Sequence, residues 1–146
     1  MLRPYTPHDL PDLLTAWYEA SRIAHSFLSE EFLDKEREQI ARDWIPMAEV
    51  TVLEEDGRVV GFVAMIDNEV GGLFVHPDYQ GRGIGRALLD RAGLDRPHLE
   101  LNVFEANDIG RGFYSAYGFR QIGRHLSEAT GHPELRLRFE VEERPA

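Results

Sequence analysis

The spacing of apolar residues predicts two helices in the first third of the chain. Between Thr6 and Ser21, large apolar side chains recur three or four positions apart, which places them on one face of a helix. Thr6 suits the N-cap because its hydroxyl can accept a free backbone N–H, and Pro7 suits the first helical position. Ser29 is placed in the same way before a second helix, which ends before Pro46. The apolar face of the first helix consists of Leu10, Leu13, Leu14, Trp17 and Tyr18.

The rest of the chain alternates between strand and helix patterns. A short strand opens the chain, and three more strands occupy residues 48–75, separated by turns at Asp56-Gly57 and Asp67-Asn68. An antiparallel meander followed by strand–helix–strand units predicts an α+β fold, a mixed sheet with helices on its faces. The length of 146 residues predicts a single domain covering residues 1–146. The later elements are a helix at 84–92, a strand at 98–104, a helix closed by Gly118, and strands at 119–126 and 134–141.

The composition limits the partners and the chemistry. The chain has 16 Lys and Arg against 26 Asp and Glu, a formal net charge of -10, which argues against nucleic acid and favours a cationic substrate. Cysteine is absent, and no two histidines have metal-ligand spacing, so we expect neither a disulfide nor a metal site. Because no apolar run is long enough to span a membrane or to form a signal peptide, we expect a soluble cytoplasmic protein without membrane contact.

Candidate binding chemistry is concentrated in the stretch "HPDYQGRGIGRALLDRA", residues 76–92. Its three glycines open a helix, where free N–H groups and the positive end of the helix dipole favour an anion. The spacing excludes two known phosphate-binding loops. No Lys-Ser or Lys-Thr pair is present for a P-loop, and the sixth position of the dinucleotide fingerprint is Arg86 or Leu88 instead of glycine or alanine.

The stretch "LFVHPDYQGRGIGRALLDRA" resembles the acyl-CoA-binding motif of the GNAT superfamily of N-acetyltransferases. "NVFEANDIGRGFYSAYGF" is similar to the next strand and helix of that superfamily, and "ASRIAHSFLSEEF" resembles a group of its small bacterial members. The order of elements also agrees, so the resemblance covers nearly the whole chain. It implies a mostly antiparallel sheet of about seven strands with helices on both faces and a splay between the two central strands. It also implies acetyl-CoA as the cosubstrate and no metal.

The resemblance assigns the acyl-CoA site to two segments and one asparagine. The pyrophosphate would lie on the N–H groups of residues 80–85, and residues 73–75 would pair with the pantetheine amides as an added strand does. Gly71 and Gly72 precede that segment and predict a bulge or a close approach. The implied binding residues are Leu73, Phe74, Val75, Gln80, Gly81, Arg82, Gly83, Ile84, Gly85, Arg86 and Asn107.

Acetyl transfer to an amine needs a base for the ammonium proton and an acid for the departing thiolate. The resemblance places Tyr114 at the sulfur as the acid and Asn107 against CoA. They are seven residues apart, about two helical turns, so both point the same way. Packing in the core is the alternative for Tyr114, and we expect it for Tyr117. Glu69, eleven residues before Gln80, matches a base-bearing position of some members and could act through a water; an ordinary acidic turn is its alternative.

The acceptor would lie against residues 21–32 and the turn at 127–133, with His25 and Phe27 as substrate-binding residues. His25 could also relay a proton, or be a packing histidine. The acceptor is a small-molecule or peptide amine, and protein lysine, polyamine, amino acid and antibiotic all stay open. Members of the superfamily are often dimers, so a homodimer is possible. Gly110 stands where the superfamily commonly has alanine. Together with Gly112 it weakens its helix by about 1 kcal/mol per glycine, which predicts that the Asn107 segment orders when CoA binds.

Two other functions compete with an N-acetyltransferase. A non-catalytic acyl-CoA-binding or sensing module would keep the pocket without using an acceptor, and the presence of Tyr114 and Glu69 argues against it. A nucleotide-binding or hydride-transfer domain ranks last, because the glycine spacing does not fit it.

Overall fold

The structure, a computed structural model, describes residues 1–141 and has the α+β architecture that the sequence predicts. The α-helices in this part of the chain are α1 (Leu10–Ala24), α2 (Glu30–Gln39), α3 (Ile84–Ala92) and α4 (Asp108–Tyr117). The strands are β1 (Leu2–Pro4), β2 (Glu49–Glu55), β3 (Arg58–Ile66), β4 (Glu69–Val75), β5 (His98–Phe104), β6 (Arg120–Leu126) and β7 (Pro133–Glu140). Shorter pieces are the 3-10 turns Pro7–Asp9 and Pro77–Tyr79 and the π-helical turn Ile40–Trp44.

The seven strands form one sheet in the order β1-β2-β3-β4-β5-β7-β6. Neighbouring strands are antiparallel except β4 and β5, which are parallel. Helices cover both faces. Leu13 and Trp17 of α1 pack with Leu33 of α2 on one face, and Leu88 and Leu89 of α3 pack on the other. The central strand β3 is therefore buried on both faces, which explains its almost unbroken apolar sequence.

The two central strands separate almost as soon as they meet. Among the described residues, β4 and β5 pair at one position, Glu69 opposite Glu100, whereas β4 pairs with β3 along its length. The edge of β4 that faces β5 is therefore open beyond Glu69. The β3–β4 register shifts where Ala64 pairs with Gly72 and leaves Gly71 unpaired, which is the bulge that the glycine pair predicts. The splay between the central strands is confirmed.

The first helix begins later than predicted. Pro7–Asp9 form a 3-10 turn, and α1 starts at Leu10. The Asp9 carboxylate explains the turn, because it accepts the Thr6 N–H at 2.8 Å and two hydrogen bonds from Arg3, also at 2.8 Å. The chain is thereby tied to β1 before the helix begins.

The second helix begins as predicted and ends in a wider turn. The Ser29 hydroxyl accepts the Phe32 N–H at 3.1 Å and caps α2. At its end α2 continues into the π-helical turn Ile40–Trp44, in which the Ile45 N–H donates to the Ile40 carbonyl at 2.9 Å. Such wide turns redirect side chains and are frequent at functional sites. Here the turn places Trp44 at the wall of a cavity described below.

Candidate active site

The glycine-rich loop after β4 carries a run of free backbone donors. Gly81 and Gly83 have φ of 80° and 81°, a conformation that glycine adopts with little strain. Among residues 1–141, the N–H groups from Gly81 to Arg86 donate to no protein acceptor, and no side chain caps the start of α3 at Ile84. A run of donors at the positive end of a helix fits an anion such as a pyrophosphate.

Two of the predicted cofactor-binding residues also hold the loop in place. The Gln80 N–H donates to the Pro77 carbonyl at 3.3 Å, so it does not belong to the run of free donors. The Gln80 side chain donates to the Val75 carbonyl at 2.9 Å, which ties the loop to the end of β4. Gly85 lies in α3, where a Cβ would come 3.0 Å from the Phe113 ring, so its small size serves the packing of α3 on α4.

The two arginines beside the loop differ in position. The Arg86 guanidinium lies 5.3 Å from the centre of the Tyr117 ring, and Arg86 lines the cleft described next. Arg82 is not part of that lining. Its guanidinium lies 4.9 Å from the centre of the Tyr79 ring and 3.9 Å from the Glu55 carboxylate. Arg86 is thus the better placed of the two to add positive charge at the free donors.

A cleft of about 790 Å³ extends from the glycine loop along the splay between β4 and β5 to the end of α1. It gathers residues that are far apart in the chain and that the sequence singled out separately. Arg82 and Phe27 are the two predicted site residues that do not line it. The predicted residues in its lining are His25, Glu69, Leu73, Phe74, Val75, Gln80, Gly81, Gly83, Ile84, Gly85, Arg86, Asn107 and Tyr114.

Tyr114 is half-buried in the wall of this cleft. Its ring packs edge-on against Phe113 and Phe119, with centroids 5.4 Å and 5.3 Å away. Among the described residues, its hydroxyl has no hydrogen-bond partner. Burial raises the pKa of the Tyr114 phenol above its usual value of about 10, so it keeps its proton at neutral pH. Tyr117 differs, because it is buried and donates to the Asp90 carboxylate at 2.7 Å, in agreement with the packing role predicted for it.

Asn107 is the N-cap of α4 and is buried beside the cleft. Its side-chain oxygen accepts the Gly110 N–H at 2.9 Å, and its amide nitrogen lies 3.4 Å from Nε2 of His25. A Cβ at Gly110 would come 2.5 Å from that amide nitrogen. Gly110 stands where the superfamily commonly has alanine, and its lack of a side chain leaves room for Asn107 to fold back over the start of α4. Ordering of this segment on CoA binding stays a prediction.

His25 lies where α1 ends, among aromatic rings. Its ring makes edge contacts with Phe104 at 5.0 Å, Phe27 at 5.9 Å and Phe74 at 6.4 Å. Burial lowers the pKa of His25 to about 4, so the imidazole is neutral at pH 7. A neutral imidazole can accept a hydrogen bond from the Asn107 amide, but with this pKa it is a weak proton acceptor.

Two residues of this aromatic group, Phe104 and His132, were not singled out in the sequence, and both contact Phe27. Phe27 packs edge-on against Phe104 at the end of β5, at 5.2 Å, and against His132 in the β6–β7 turn, at 4.9 Å. Nothing in the sequence distinguishes Phe104 from the other apolar residues of its strand. The turn containing His132 was predicted to contribute to the acceptor wall, and the ring contact joins that turn to the end of α1.

Glu69, the predicted base, is held in an ion pair. Both of its carboxylate oxygens accept hydrogen bonds from the Arg136 guanidinium of β7, at 2.7 Å and 2.5 Å. Arg136 also donates to Glu100 at 3.0 Å and to Asn102 at 3.2 Å. A proton taken up by Glu69 would therefore disrupt a bidentate pair, which is among the stronger hydrogen-bonded arrangements of carboxylates.

A smaller cavity of about 160 Å³ adjoins the cleft beneath α2 and the π-helical turn. Glu36 of α2 is the one Asp, Glu, Lys, Arg or His in its lining, and it is half-buried. Burial, and to a lesser extent the charge of Glu134, raise the pKa of Glu36. The residues that line both cavities are Trp17, Glu36, Trp44, Gly71, Gly72 and Phe74. The remaining lining residues of the small cavity are Gln39, Ile40, Ile45, Ala48, Phe62, Ala64 and Ile66.

Residues 1–141 contain neither a cluster of metal ligands nor a membrane-spanning helix. In this part of the chain no group of three or more His, Cys, Asp or Glu side chains is placed to hold a metal ion. No helix among these residues is both long enough and apolar enough to cross a bilayer. The donor set of the cleft consists instead of backbone N–H groups, an open strand edge and a phenol, which fits the pyrophosphate, the amides and the thiol end of an acyl-CoA.

Comparisons with known proteins agree on one family. Residues 46–121 match the family model of the acetyltransferase (GNAT) domain. The chain is 34% identical over 123 residues to peptidyl-lysine N-acetyltransferase YjaB of Escherichia coli, covering 84% of this chain and 83% of YjaB. It is 33% identical over 139 residues to peptidyl-lysine N-acetyltransferase YiaC of Escherichia coli, covering 94% of this chain and 91% of YiaC.

Solved structures agree with the sequence relatives. The solution structure of apo YjaB from Escherichia coli superposes with a TM-score of 0.83 at 30% identity, covering 94% of this chain and 95% of that one. The PaiA N-acetyltransferase of Thermoplasma acidophilum, in complex with coenzyme A, shares the fold with a TM-score of 0.76 at 20% identity, covering 96% and 98%.

The matched segment contains the features that form the donor side of the cleft. It runs from the start of β2 to β6 and includes the splayed strands, the glycine loop and the helix bearing Tyr114. The fold and the acetyl-CoA cosubstrate that the sequence resemblance implies are thereby confirmed. The chain belongs to the GNAT family and is an acetyl-CoA-dependent N-acetyltransferase.

Proposed function

We propose that the acceptor is the side-chain amine of a lysine in a protein or peptide. YjaB and YiaC, which share 34% and 33% identity with this chain, are named peptidyl-lysine N-acetyltransferases. Three carboxylates line the cleft, Glu36, Glu69 and Glu134, and the chain has a formal net charge of -10. This charge favours a cationic acceptor over a neutral or acidic one.

The observation that supports acyl-CoA binding most directly is the run of free N–H groups next to an open strand edge. We assign the pyrophosphate to the donors from Gly81 to Arg86, with the guanidinium of Arg86 adding charge. The pantetheine amides are assigned to β4 at residues 73–75, where no described residue pairs with the strand on the side of β5. The acetyl group would then lie near Tyr114, in the middle of the cleft.

The reaction is a direct transfer in which Tyr114 is the acid. The neutral amine attacks the thioester carbonyl carbon, the carbon–sulfur bond breaks, and the thiolate takes the phenolic proton of Tyr114. The nitrogen of the new amide loses a proton, which restores the phenol. Desolvation raises the pKa of the CoA thiol as it raises the pKa of the Tyr114 phenol. The two pKa values therefore remain matched.

The remaining site residues have proposed roles in binding the acceptor. The neutral imidazole of His25 lines the cleft and suits the methylene stem of a lysine. Phe27 does not line the cleft, and its proposed role is to hold the His25 ring through their edge contact at 5.9 Å. The resemblance implies Glu69 as the base, acting through a water, but Arg136 already uses two of the roughly four lone-pair sites of its carboxylate. The Glu69→Gln variant tests that role.

The test uses the purified chain, acetyl-CoA and a peptide with a blocked N-terminus and one lysine. The expected result is release of CoA thiol together with a mass increase of one acetyl group on the peptide. The matched control peptide has arginine in place of lysine and is expected to stay unmodified. Acetylation of a polyamine, an amino acid or an aminoglycoside but of no lysine peptide would contradict the acceptor class. Stabilisation by acetyl-CoA without turnover of any amine would support a binding module.

A further inference from the structure

We propose that Glu36, and not Glu69, is the catalytic base that removes the proton from the acceptor ammonium. The proposal rests on the proposed function, because it needs a cationic amine as the acceptor. Glu36 lies on α2, a helix that the sequence pattern marks only as amphipathic, with one buried residue, Leu33.

The position of Glu36 connects the acceptor side of the cleft with β4. It lines both the cleft and the small cavity, and the two share Gly71 and Gly72 of β4. These glycines form the bulge at the start of the open strand edge, immediately before the residues assigned to pantetheine. A carboxylate in this wall is therefore close to the path of an amine that approaches the thioester from the side of α1 and α2.

Glu36 is also the one carboxylate of the cleft that is left without a partner among the described residues. No residue between positions 1 and 141 makes a hydrogen bond or an ion pair with its side chain. Glu69 uses both oxygens for Arg136, and Glu134 lies 3.1 Å from Nε2 of His125. A general base needs a free lone pair directed to solvent or substrate, and Glu36 satisfies that condition without the loss of an existing contact.

The surroundings of Glu36 favour proton uptake. The small cavity around it is lined by Trp17, Trp44, Phe62 and Phe74, by smaller apolar residues and by Gln39, and within residues 1–141 no other carboxylate and no cation lines it. Among the charged groups of the cleft, Glu134 repels Glu36, Glu69 is paired with Arg136, and Arg86 lies at the glycine loop, while His25 is neutral. An arriving ammonium relieves the repulsion between Glu36 and Glu134. Proton transfer then leaves a neutral carboxylic acid in apolar surroundings, which is the state that burial prefers.

The proton balance is complete with groups already assigned. The ammonium gives one proton to the Glu36 carboxylate and becomes the neutral amine that attacks the thioester carbon. Tyr114 protonates the thiolate and regains a proton from the nitrogen of the new amide. Glu36 releases its proton to water after the product leaves. One proton is therefore released for each acetyl group transferred.

The test compares three isosteric variants by their kcat/KM for the lysine peptide between pH 7 and pH 9. In Glu36→Gln we expect a loss of about 100-fold at pH 7, within the range of general-base catalysis. This loss should shrink by about tenfold per pH unit, because solvent supplies more neutral amine as the pH rises toward the lysine pKa of about 10.4. Glu69→Gln should lose activity equally at every pH. The control, Glu38→Gln on the exposed side of the same helix, should match the unmodified chain.

The outcomes distinguish a failure of Glu36 as the base from a failure of lysine as the acceptor. Stabilisation of Glu36→Gln by acetyl-CoA to the same extent as the unmodified chain shows that the fold and the donor site are intact. Activity of Glu36→Gln within threefold of the unmodified chain at about pH 7, or a loss that is constant with pH, would overturn the role of Glu36. A large loss in Glu69→Gln that high pH reverses would assign the base to Glu69. An unmodified chain that acetylates small amines but no lysine peptide would overturn the acceptor class.

Discussion

The depressed pKa of His25 predicts a specific loss of stability in mild acid. The imidazole has a pKa of about 4 in the folded chain, against about 6.5 when exposed, so between these values the unfolded chain binds the proton more tightly. Stability associated with the neutral imidazole is therefore complete above pH 6.5 and declines as the pH falls toward 4. Each pH unit in this window costs about 1.4 kcal/mol, which gives a loss of about 2 kcal/mol at pH 5.

The assay is urea unfolding at pH 8 and pH 5, for the unmodified chain and for His25→Gln. The variant loses ring contacts with Phe74 and Phe104, so it should be less stable at pH 8. It has no imidazole to protonate, so the stability gap between the two proteins should narrow by about 2 kcal/mol at pH 5. All other titrating groups are present in both proteins. The change in the stability gap between pH 8 and pH 5 therefore reports on His25 alone.

Parallel stability curves would show that burial does not lower the pKa of His25. A constant gap between pH 8 and pH 5 would mean that the imidazole is solvated in the folded chain. Titration of the His25 ring signals by NMR gives an independent value, and a pKa near 6.5 would contradict the desolvation of the ring in the folded chain.

Three further predictions concern the donor side of the site. Tyr114→Phe should lower kcat by about 100-fold while stabilisation by acetyl-CoA is kept, and an unchanged kcat would exclude the acid role. Gly83→Ala should lower the free energy of unfolding by about 1–2 kcal/mol, because its φ of 81° strains any residue with a Cβ. It should also weaken acetyl-CoA binding in calorimetry, and unchanged affinity would separate the loop from the cofactor. Gly110→Ala should displace Asn107, since its Cβ would come 2.5 Å from the Asn107 amide; a wild-type melting temperature with undisturbed His25 signals would contradict that contact.

Interactions between residues close in the chain were largely predictable. The cap at Ser29 and the bounds of α3 depend on neighbours a few positions away, and the sequence carries that information directly. The order of strands and helices follows from hydrophobic periodicity, and it was sufficient for the α+β class. The seven-stranded sheet and the splay were implied by the family resemblance. The start of α1 was misplaced by three residues, because the turn at Pro7–Asp9 depends on Arg3, a residue of β1.

The roles of the acceptor-side residues depend on partners far along the chain. Glu69 meets Arg136 from 67 positions away, and Asn107 meets His25 from 82 positions away. Periodicity predicts which side of a strand or helix a residue occupies, but it does not predict which side chain lies opposite after the strands have paired. Glu36 shows this most clearly. On its helix it is one of several glutamates. Only the tertiary structure places it at a mostly apolar cavity that β4 also lines, without a partner among the described residues and with a raised pKa.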